Sequence, residues 1–330
     1  MKYKLNTHNK YLLIDADSTI PNIALGKLST YFKNQKHQVD FLKLNISYYP
    51  NRKKKRYFIK TKNYSAVFCS VIFEKTIDYI YGKDIIFGGT GYDLQTKLSS
   101  KIECLEVDYS LYPENDCSYG FISRGCIRNC YFCKVPEKEG GIKQVSTINS
   151  IIKHKKVKFL DNNFLALPNH KSILQELVDK KIKCNFNQGL DIRLLDKENS
   201  NLLSKLNYLG EYTFAFDSWH YRKLIEKKLK LLSWRNPFQI RFFVYCHPKM
   251  QLSSIVKRII FLKQGECLPY IMRDFLCFND KNCNFYTDVA SYCNQPGIFK
   301  NLSFNEFIKR RFPKNKLRVF KSKVLFYQNL

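Results

Sequence analysis

Three thiols crowd into one short stretch of this sequence. Cys126, Cys130 and Cys133 stand at C-x3-C-x2-C spacing in Gly125-Cys126-Ile127-Arg128-Asn129-Cys130-Tyr131-Phe132-Cys133. Thiolates are soft ligands that suit iron–sulfur clusters or zinc. Thiols this close in sequence converge only if the backbone wraps around one object. A cubane [4Fe–4S] cluster has four irons, and full protein ligation takes four cysteines. Three local cysteines therefore leave one iron with an open position, as a reactive cluster requires. A zinc site is the alternative, its fourth ligand coming from elsewhere, with Cys117 the first candidate. Zinc spacings are usually C-x2-C pairs split by a longer insert, and this is a single triplet. Coincidence in a chain with 12 cysteines is the third reading.

The elements that must position this loop read as alternating strands and helices. Strands are expected over Ser118–Ser123, Val157–Leu160, Cys184–Asn187, Tyr212–Phe216, Gln239–Tyr245 and Leu268–Met272. Helices are expected over Ile148–Lys155, Lys171–Lys180, Lys197–Tyr208, Tyr221–Leu232 and Ser253–Leu262, the last stopping near Gly265. Six such repeats make a partial parallel (β/α)6 TIM-type barrel, whose active site lies at the carboxyl ends of the strands. The cysteine loop follows the first strand. The same rule nominates Asp161-Asn162-Asn163, Gln188 with Asp191 and Arg193, Asp217-Ser218, His247 and Arg273-Asp274. Asp, Asn and Ser there also fit helix caps. His247 reads as a structural strand-end residue. Two short helices, Tyr286–Cys293 and Phe304–Arg311, follow as cover for the open side.

The residues before the barrel also alternate. Strands are expected at Tyr11–Ile14, Val39–Leu44, Ala66–Ile72 and Asp84–Phe87, with a helix after Pro21 carrying Ile23, Leu25, Leu28 and Phe32. This argues for an open parallel α/β sheet of Rossmann-like type. Ligands in such sheets sit beyond the carboxyl ends of the strands, where Asp15–Ser18, Ser70 and Gly88-Gly89 fall. Gly88-Gly89-Thr90-Gly91 also fits a tight turn needing positive φ. Asp108–Asp116 reads as the linker. The expected domains are 1–112, 113–275 and a basic helical extension, 276–330.

Composition bounds the partners. Across 330 residues the net charge is +28 and hydrophobic residues make up 45%. Basic residues are dense over Arg52–Arg56, with Lys60 and Lys62 after them, and again beyond Glu306, from Lys309 to Lys323. That charge fits a nucleic-acid partner, or solvated faces in a lysine-rich chain. A zinc-stabilised nucleic-acid-binding protein is accordingly the second function class. No apolar run is long enough for a membrane span, and no signal-peptide pattern is seen. With 12 cysteines, this implies a reducing, cytoplasmic setting. Cys69, Cys104, Cys184 and Cys246 read as buried small residues. Cys267, Cys277, Cys283 and Cys293 contain no close pair, so an auxiliary cluster has little support.

The triplet, with Gly125 before it and Phe132 inside it, resembles the radical S-adenosylmethionine (radical SAM) superfamily signature. The resemblance implies a [4Fe–4S] cluster on Cys126, Cys130 and Cys133. It implies SAM chelating the open iron through its amino and carboxylate groups, and reductive cleavage to a radical that abstracts hydrogen from a substrate. It also implies an electron donor such as a flavodoxin or ferredoxin-like reductase. By position, Asp161, Asn163, Gln188, Arg193 and Asp217 are then the candidate SAM contacts. The six-unit partial barrel agrees with that superfamily. The first domain resembles the cobalamin-binding domain that often precedes such a core, with Ser70-Val71-Ile72 and Gly88-Gly89 matching its S-x-L segment and Gly-Gly turn. Asp15-Ala16-Asp17 has neither the histidine nor the glycine of its first loop, so the resemblance implies cobalamin bound without an imidazole, or the fold without cobalamin. Methyl transfer is among the reactions of that group, and RNA among the substrates open to it.

Overall fold

The computed structural model describes residues 9–47 and 54–311. Arg52, Lys53 and the basic positions from Lys314 to Lys323 lie outside the described residues. The chain forms two compact units. The first runs through Gly120 and takes in Cys130–Gly140 and Asn149–His154; the second holds Phe121–Asn129, Gly141–Ile148 and the chain from Lys155 onward.

In the first unit, β1 (Lys10–Asp15), β2 (Gln38–Lys43), β3 (Ala66–Ser70) and β4 (Ile85–Gly88) form a parallel sheet in the order β2-β1-β3-β4. A central parallel strand is covered on both faces and reads as a continuous apolar run. Leu12 and Ile14 pack with Val67, Cys69 and Val71 on one face. Leu13 packs on the other with Leu25, Leu28 and Phe32 of helix α1 (Ile23–Asn34). Asn22 caps that helix, its side chain accepting from the Leu25 N–H at 3.2 Å. Pro21, expected in the first turn, therefore precedes the cap.

The expected linker is fastened to this unit. Asp108 accepts from Ser29 at 2.6 Å and from Lys33 at 2.7 Å. Burial works against its charge, but those bonds outweigh it and hold its carboxyl at about 2. Tyr112 is buried, donates to Asp15 at 2.9 Å and accepts from the Asn22 N–H at 3.0 Å. A second departure is Cys104, which is exposed at the end of a one-turn helix, Ser100–Glu103. Strand β5 (Cys117–Gly120) closes the continuous part of the unit.

In the second unit, β6 (Lys156–Phe159) and β7 (Lys183–Phe186) run parallel with the short Asn207–Tyr208 strand. β8 (Tyr212–Ala215), β9 (Ile240–Cys246) and β10 (Leu268–Arg273) form another parallel set. A parallel bridge, Leu190 to Phe214, joins the two. The intervening helices are α2 (His170–Asp179), α3 (Lys197–Lys205), α4 (Arg222–Leu229) and α5 (Leu252–Gln264). Asp196 and Asn199 form a reciprocal capping box at the start of α3. That helix stops short of Tyr208 because its last residues turn into the strand paired with β7. Arg258 of α5 is fully buried and donates to the carbonyls of Phe216 at 2.8 Å and Tyr245 at 3.1 Å, binding two strand ends together.

The helices after the barrel strands belong to this unit. α6 (Cys283–Cys293) begins a turn earlier than expected, and α7 spans Phe304–Arg311. Asn294 pairs both backbone groups of Ile271, accepting at 2.6 Å and donating at 3.2 Å. Exposed strand edges invite unwanted pairing, and this amide occupies that of β10.

The Tyr112 hydroxyl joins a buried carboxylate to a helix cap. Removing it in Tyr112→Phe leaves both groups short of a partner and should cost about 1–3 kcal/mol. Urea unfolding would show this as a lower midpoint with unchanged slope; an unchanged midpoint would mean that Tyr112 is a spacer.

Candidate functional site

The site grows from the carboxyl end of β6. A single strand was expected over Ser118–Ser123, but the chain breaks out of it. The Ile122 N–H donates to Asp161 Oδ2 at 3.1 Å, and the Ser123 N–H and hydroxyl donate to Oδ1 at 2.5 and 2.6 Å. Those donors are spent on a carboxylate instead of a ladder. Asp161 is 2% exposed, and burial pushes its pKa up to about 6 against those bonds. It is thus a structural anchor, out of a ligand's reach. Next along, Asn162 accepts from the Gly125 N–H at 3.1 Å. Gly125 takes φ +88°, a left-handed value that suits glycine. The loop therefore leaves its strand along the Asp161–Asn162 side chains.

Asn163 then meets Cys126, donating to its Sγ at 3.3 Å and lying 3.5 Å from Asp191 Oδ2. The Arg128 N–H donates to the same sulfur at 3.3 Å. Hydrogen bonds to sulfur are among the levers that tune a thiolate or cluster. Asn163 is buried, and its Oδ1 has no hydrogen-bond partner. A buried acceptor left alone costs desolvation energy. Asp191 binds two guanidinium groups: Arg193 through Nε at 2.6 Å and Nη2 at 2.9 Å, and Arg128 through Nε at 2.9 Å. Burial opposes its charge, yet the Arg193 and Arg128 bonds win and hold its pKa below the usual carboxylate value. Arg193 also lies over the Tyr221 ring, 5.0 Å from its centroid.

The sequence-nominated residues thus sort by environment. Cys126, Asn163, Asp191 and Arg193 come together. Asp217 lies half-buried, raised to about 6 by burial against the nearby charges of Arg258 and Arg193. Gln188 is exposed in a turn and outside the network. His247 accepts the Lys249 N–H at 3.0 Å on Nδ1, a structural role as expected. Sequence reasoning missed Arg128, Tyr221 and Arg258. Arg128 stood inside the cysteine motif itself, and a cation there asks for a carboxylate partner.

Cys126 falls in the second unit, and Cys130 and Cys133 in the first. All three are partly exposed, and Cys133 Sγ accepts the Val135 N–H at 3.4 Å. Among the described residues no three His, Cys, Asp or Glu side chains are gathered closely enough to hold a metal ion. The donor set nonetheless fits an iron–sulfur cluster in kind: accessible thiols, with N–H groups aimed at two of them. Most of the other thiols do not, while Cys104 is exposed and Cys283 partly exposed. Burial pushes Cys69, Cys184, Cys246 and Cys277 up to about 12, and Cys293 well above its ordinary value. Cys117 is buried within β5.

The carboxyl edge of the first unit's sheet is filled by its own side chains. Asp15 accepts from Ser18 and Tyr112, and Asn22 donates to Ser70 Oγ at 2.8 Å; all five residues are buried. Asp17 accepts the Ile72 and Phe73 N–H groups at 2.9 and 3.0 Å. Lys134 pairs with Glu74 and Lys138 donates to Thr90, so Cys130–Gly140 lies against the strand-end loops of its own unit. Ser70 is therefore not presented to a ligand by its side chain. Gly89 takes φ +97°, and a Cβ there would sit 2.4 Å from the Val71 carbonyl oxygen, so it answers to the turn. A Cβ on Gly88 would meet only Thr96, at 4.0 Å.

The raised carboxyls give a pH signature. With a folded pKa near 6 against an ordinary 3.8, the stability linked to protonated Asp217 is complete below about pH 4 and lost as pH rises through 6. Asn copies the neutral acid. The stability of Asp217→Asn relative to the wild type should therefore improve from pH 4.5 to pH 7.5, by up to ~2 kcal/mol. Urea midpoints at both pH values test this; an equal difference at the two would contradict it.

No family model and no curated protein matches the sequence. Among the solved structures similar to it are two of the radical S-adenosylmethionine methyltransferase TsrM from Kitasatospora setae. The one with cobalamin and a [4Fe-4S] cluster bound matches with a TM-score of 0.54 and 11% identity, over 81% of this chain and 75% of that one. The one with tryptophan substrate and the SAM analog aza-SAM bound matches with a TM-score of 0.56 and 12% identity, over 80% and 72%. At such identity the likeness is one of fold alone, α/β units built on parallel strands.

Proposed function

We propose that this chain is a radical SAM enzyme, with Cys126, Cys130 and Cys133 as ligands of a [4Fe–4S] cluster. The observation that carries the reading is Cys126 at a parallel-strand carboxyl end, its sulfur accepting from Asn163 and Arg128. When bound, such a cluster supplies the electron for reductive cleavage of SAM. The chain's part is to bind and orient. Asn163 Oδ1, buried without a partner, suits an ammonium or N–H donor of the cofactor. Asp191 fixes the Arg128 and Arg193 guanidinium groups, whose charge suits a carboxylate. Asp161 shapes the loop without touching the ligand. Asp217 remains a candidate contact at a neighbouring strand end. Cobalamin, bound in one of the similar structures, is the candidate ligand of the first unit, and would be held without an imidazole from Asp15–Ser18. An external reductase of flavodoxin or ferredoxin type would deliver the electron.

Anaerobic reconstitution should give about four irons per chain, with charge-transfer absorbance and reductant-dependent cleavage of SAM. Cys126→Ala, Cys130→Ala and Cys133→Ala should each abolish the cleavage. Asn163→Ala should keep most of the iron yet weaken SAM binding roughly tenfold, the effect of about 1.4 kcal/mol from one buried hydrogen bond. Stoichiometric zinc without iron–sulfur absorbance would reject the enzyme in favour of a zinc-stapled binding module. Mass spectrometry of the SAM-derived products distinguishes methyl transfer from hydrogen abstraction alone.

A further inference from the structure

On the first unit, a short parallel pair of strands, Tyr57–Phe58 and Ile80–Tyr81, stands apart from the main sheet. Side chains alternate across a strand. Tyr57 and Ile80 turn inward to the cluster of Leu12, Ile14 and Val67. Phe58 and Tyr81, paired across the strands, turn outward and are 78% and 40% exposed. Their rings stack with centroids 5.2 Å apart and planes 23° apart. Arg56 lies over the Tyr81 ring at 5.9 Å, with Lys55 over Tyr57 and Lys54 over Tyr79. From Lys54 to Lys62 there are five cations and no carboxylate. Among the described residues, none of the five forms an ion pair with a carboxylate. A core does not require two large rings in water, and the segment that carries Phe58 is cationic throughout, while Asp78 and Asp84 flank Tyr81.

Beside the stack opens a cavity of about 590 Å³, with Phe58 and Lys60 in its wall and Asp40, Phe41 and Tyr64 among its other lining residues. Asp40 accepts from Lys10 and Tyr64, each at 2.8 Å. The open hollow thus offers mixed polar and apolar walls with one carboxylate, beside a cationic segment. A carboxylate repels phosphate but accepts from the amino group of a base. An acyl chain would gain nothing from it.

We infer that this face of the first unit is a binding site for single-stranded nucleic acid: Phe58 and Tyr81 stack on successive bases, Lys54, Lys55, Arg56 and Lys60 meet the phosphates, and the adjoining cavity takes an unstacked base. Unpaired bases present the faces that exposed aromatics can stack on, and a duplex hides them. The site stands apart from the cluster chemistry, because binding needs neither iron nor SAM; its failure would leave the enzymatic reading untouched.

The test uses the full chain and labelled oligonucleotides of about 12 nucleotides, within the span such sites cover. RNA, DNA and their duplexes are compared by fluorescence anisotropy across a salt series, with anionic phospholipid vesicles as a further arm. Single strands should bind and weaken as salt rises. Phe58→Ala and Tyr81→Ala should each weaken binding roughly 5- to 150-fold, the equivalent of ~1–3 kcal/mol per stacked base, and keep the salt slope. Replacing Lys54, Lys55 and Arg56 together by Gln should reduce that slope by about 2. Phe58→Trp should restore binding, and both rings point outward, so the alanine variants should melt as the wild type does. A preference for RNA would name it as the source, and equal affinity would leave both strands as ligands of the same site. Duplex bound as tightly as single strand, alanine variants that bind normally, or vesicle binding that depends on the same two rings would each overturn the inference.

Discussion

A buried carboxylate turns the chain out of its strand where the cysteine motif begins. Asp161 sits at the carboxyl end of β6 and collects three donors from Ile122 and Ser123. Burying a charge is expensive unless its hydrogen bonds are met. Here they are met by the groups that would otherwise extend the strand. Without Asp161 the donors would return to the ladder or to water, and Gly125-Cys126 would have no fixed point of departure. Asn162 continues the work with a bond to the Gly125 N–H, and Asn163 ends it at the Cys126 sulfur. Three consecutive side chains thus carry position from the sheet to the first cysteine.

The second constraint is electrostatic. Asp191 is nearly buried and holds two guanidinium groups, one from its own turn and one from inside the cysteine motif, 63 residues away. An ion pair of this kind stabilises little by itself, because desolvation offsets the attraction. Its value is geometric, since a planar fork accepts few orientations on a carboxylate. Arg128 carries the loop at one end and faces Asp191 at the other, so the loop's register and the strand-end residue are set together.

Much of this was legible in the sequence because it is local or periodic. The strand runs, the cysteine spacing and the polar groups after each strand all lie within a few residues of one another. The parallel order of the first sheet and the amphipathic face of α1 followed from apolar spacing in the same way. What was not legible depends on pairs far apart. Tyr112 reads as linker because its partners, Asp15 and Asn22, are 97 and 90 residues away. Arg258 reads as a surface cation on a helix, and only the fold shows two strand-end carbonyls taking its donors. The break in the first strand was hidden because Tyr119 to Ser123 reads as one run, whereas Asp161 takes the Ile122 and Ser123 N–H groups and Ser123–Arg124 pairs instead with Lys143–Gln144. Gln188, at a position as favourable as Asp191, turns outward.

The two halves of the chain show why topology alone does not assign a ligand. Both place polar residues at the carboxyl ends of parallel strands, where ligands commonly sit. In the first unit Asp15, Ser18, Asn22, Ser70 and Tyr112 satisfy one another and are buried. In the second, Asn163 keeps a buried oxygen with no partner beside a sulfur that accepts two N–H groups. A self-satisfied cluster gains nothing by admitting a ligand, whereas an unsatisfied acceptor recovers its desolvation cost only when a donor arrives. The same topological rule thus yields a self-satisfied edge in one unit and a buried acceptor without a partner in the other, and the difference lies in which polar atoms have already found partners.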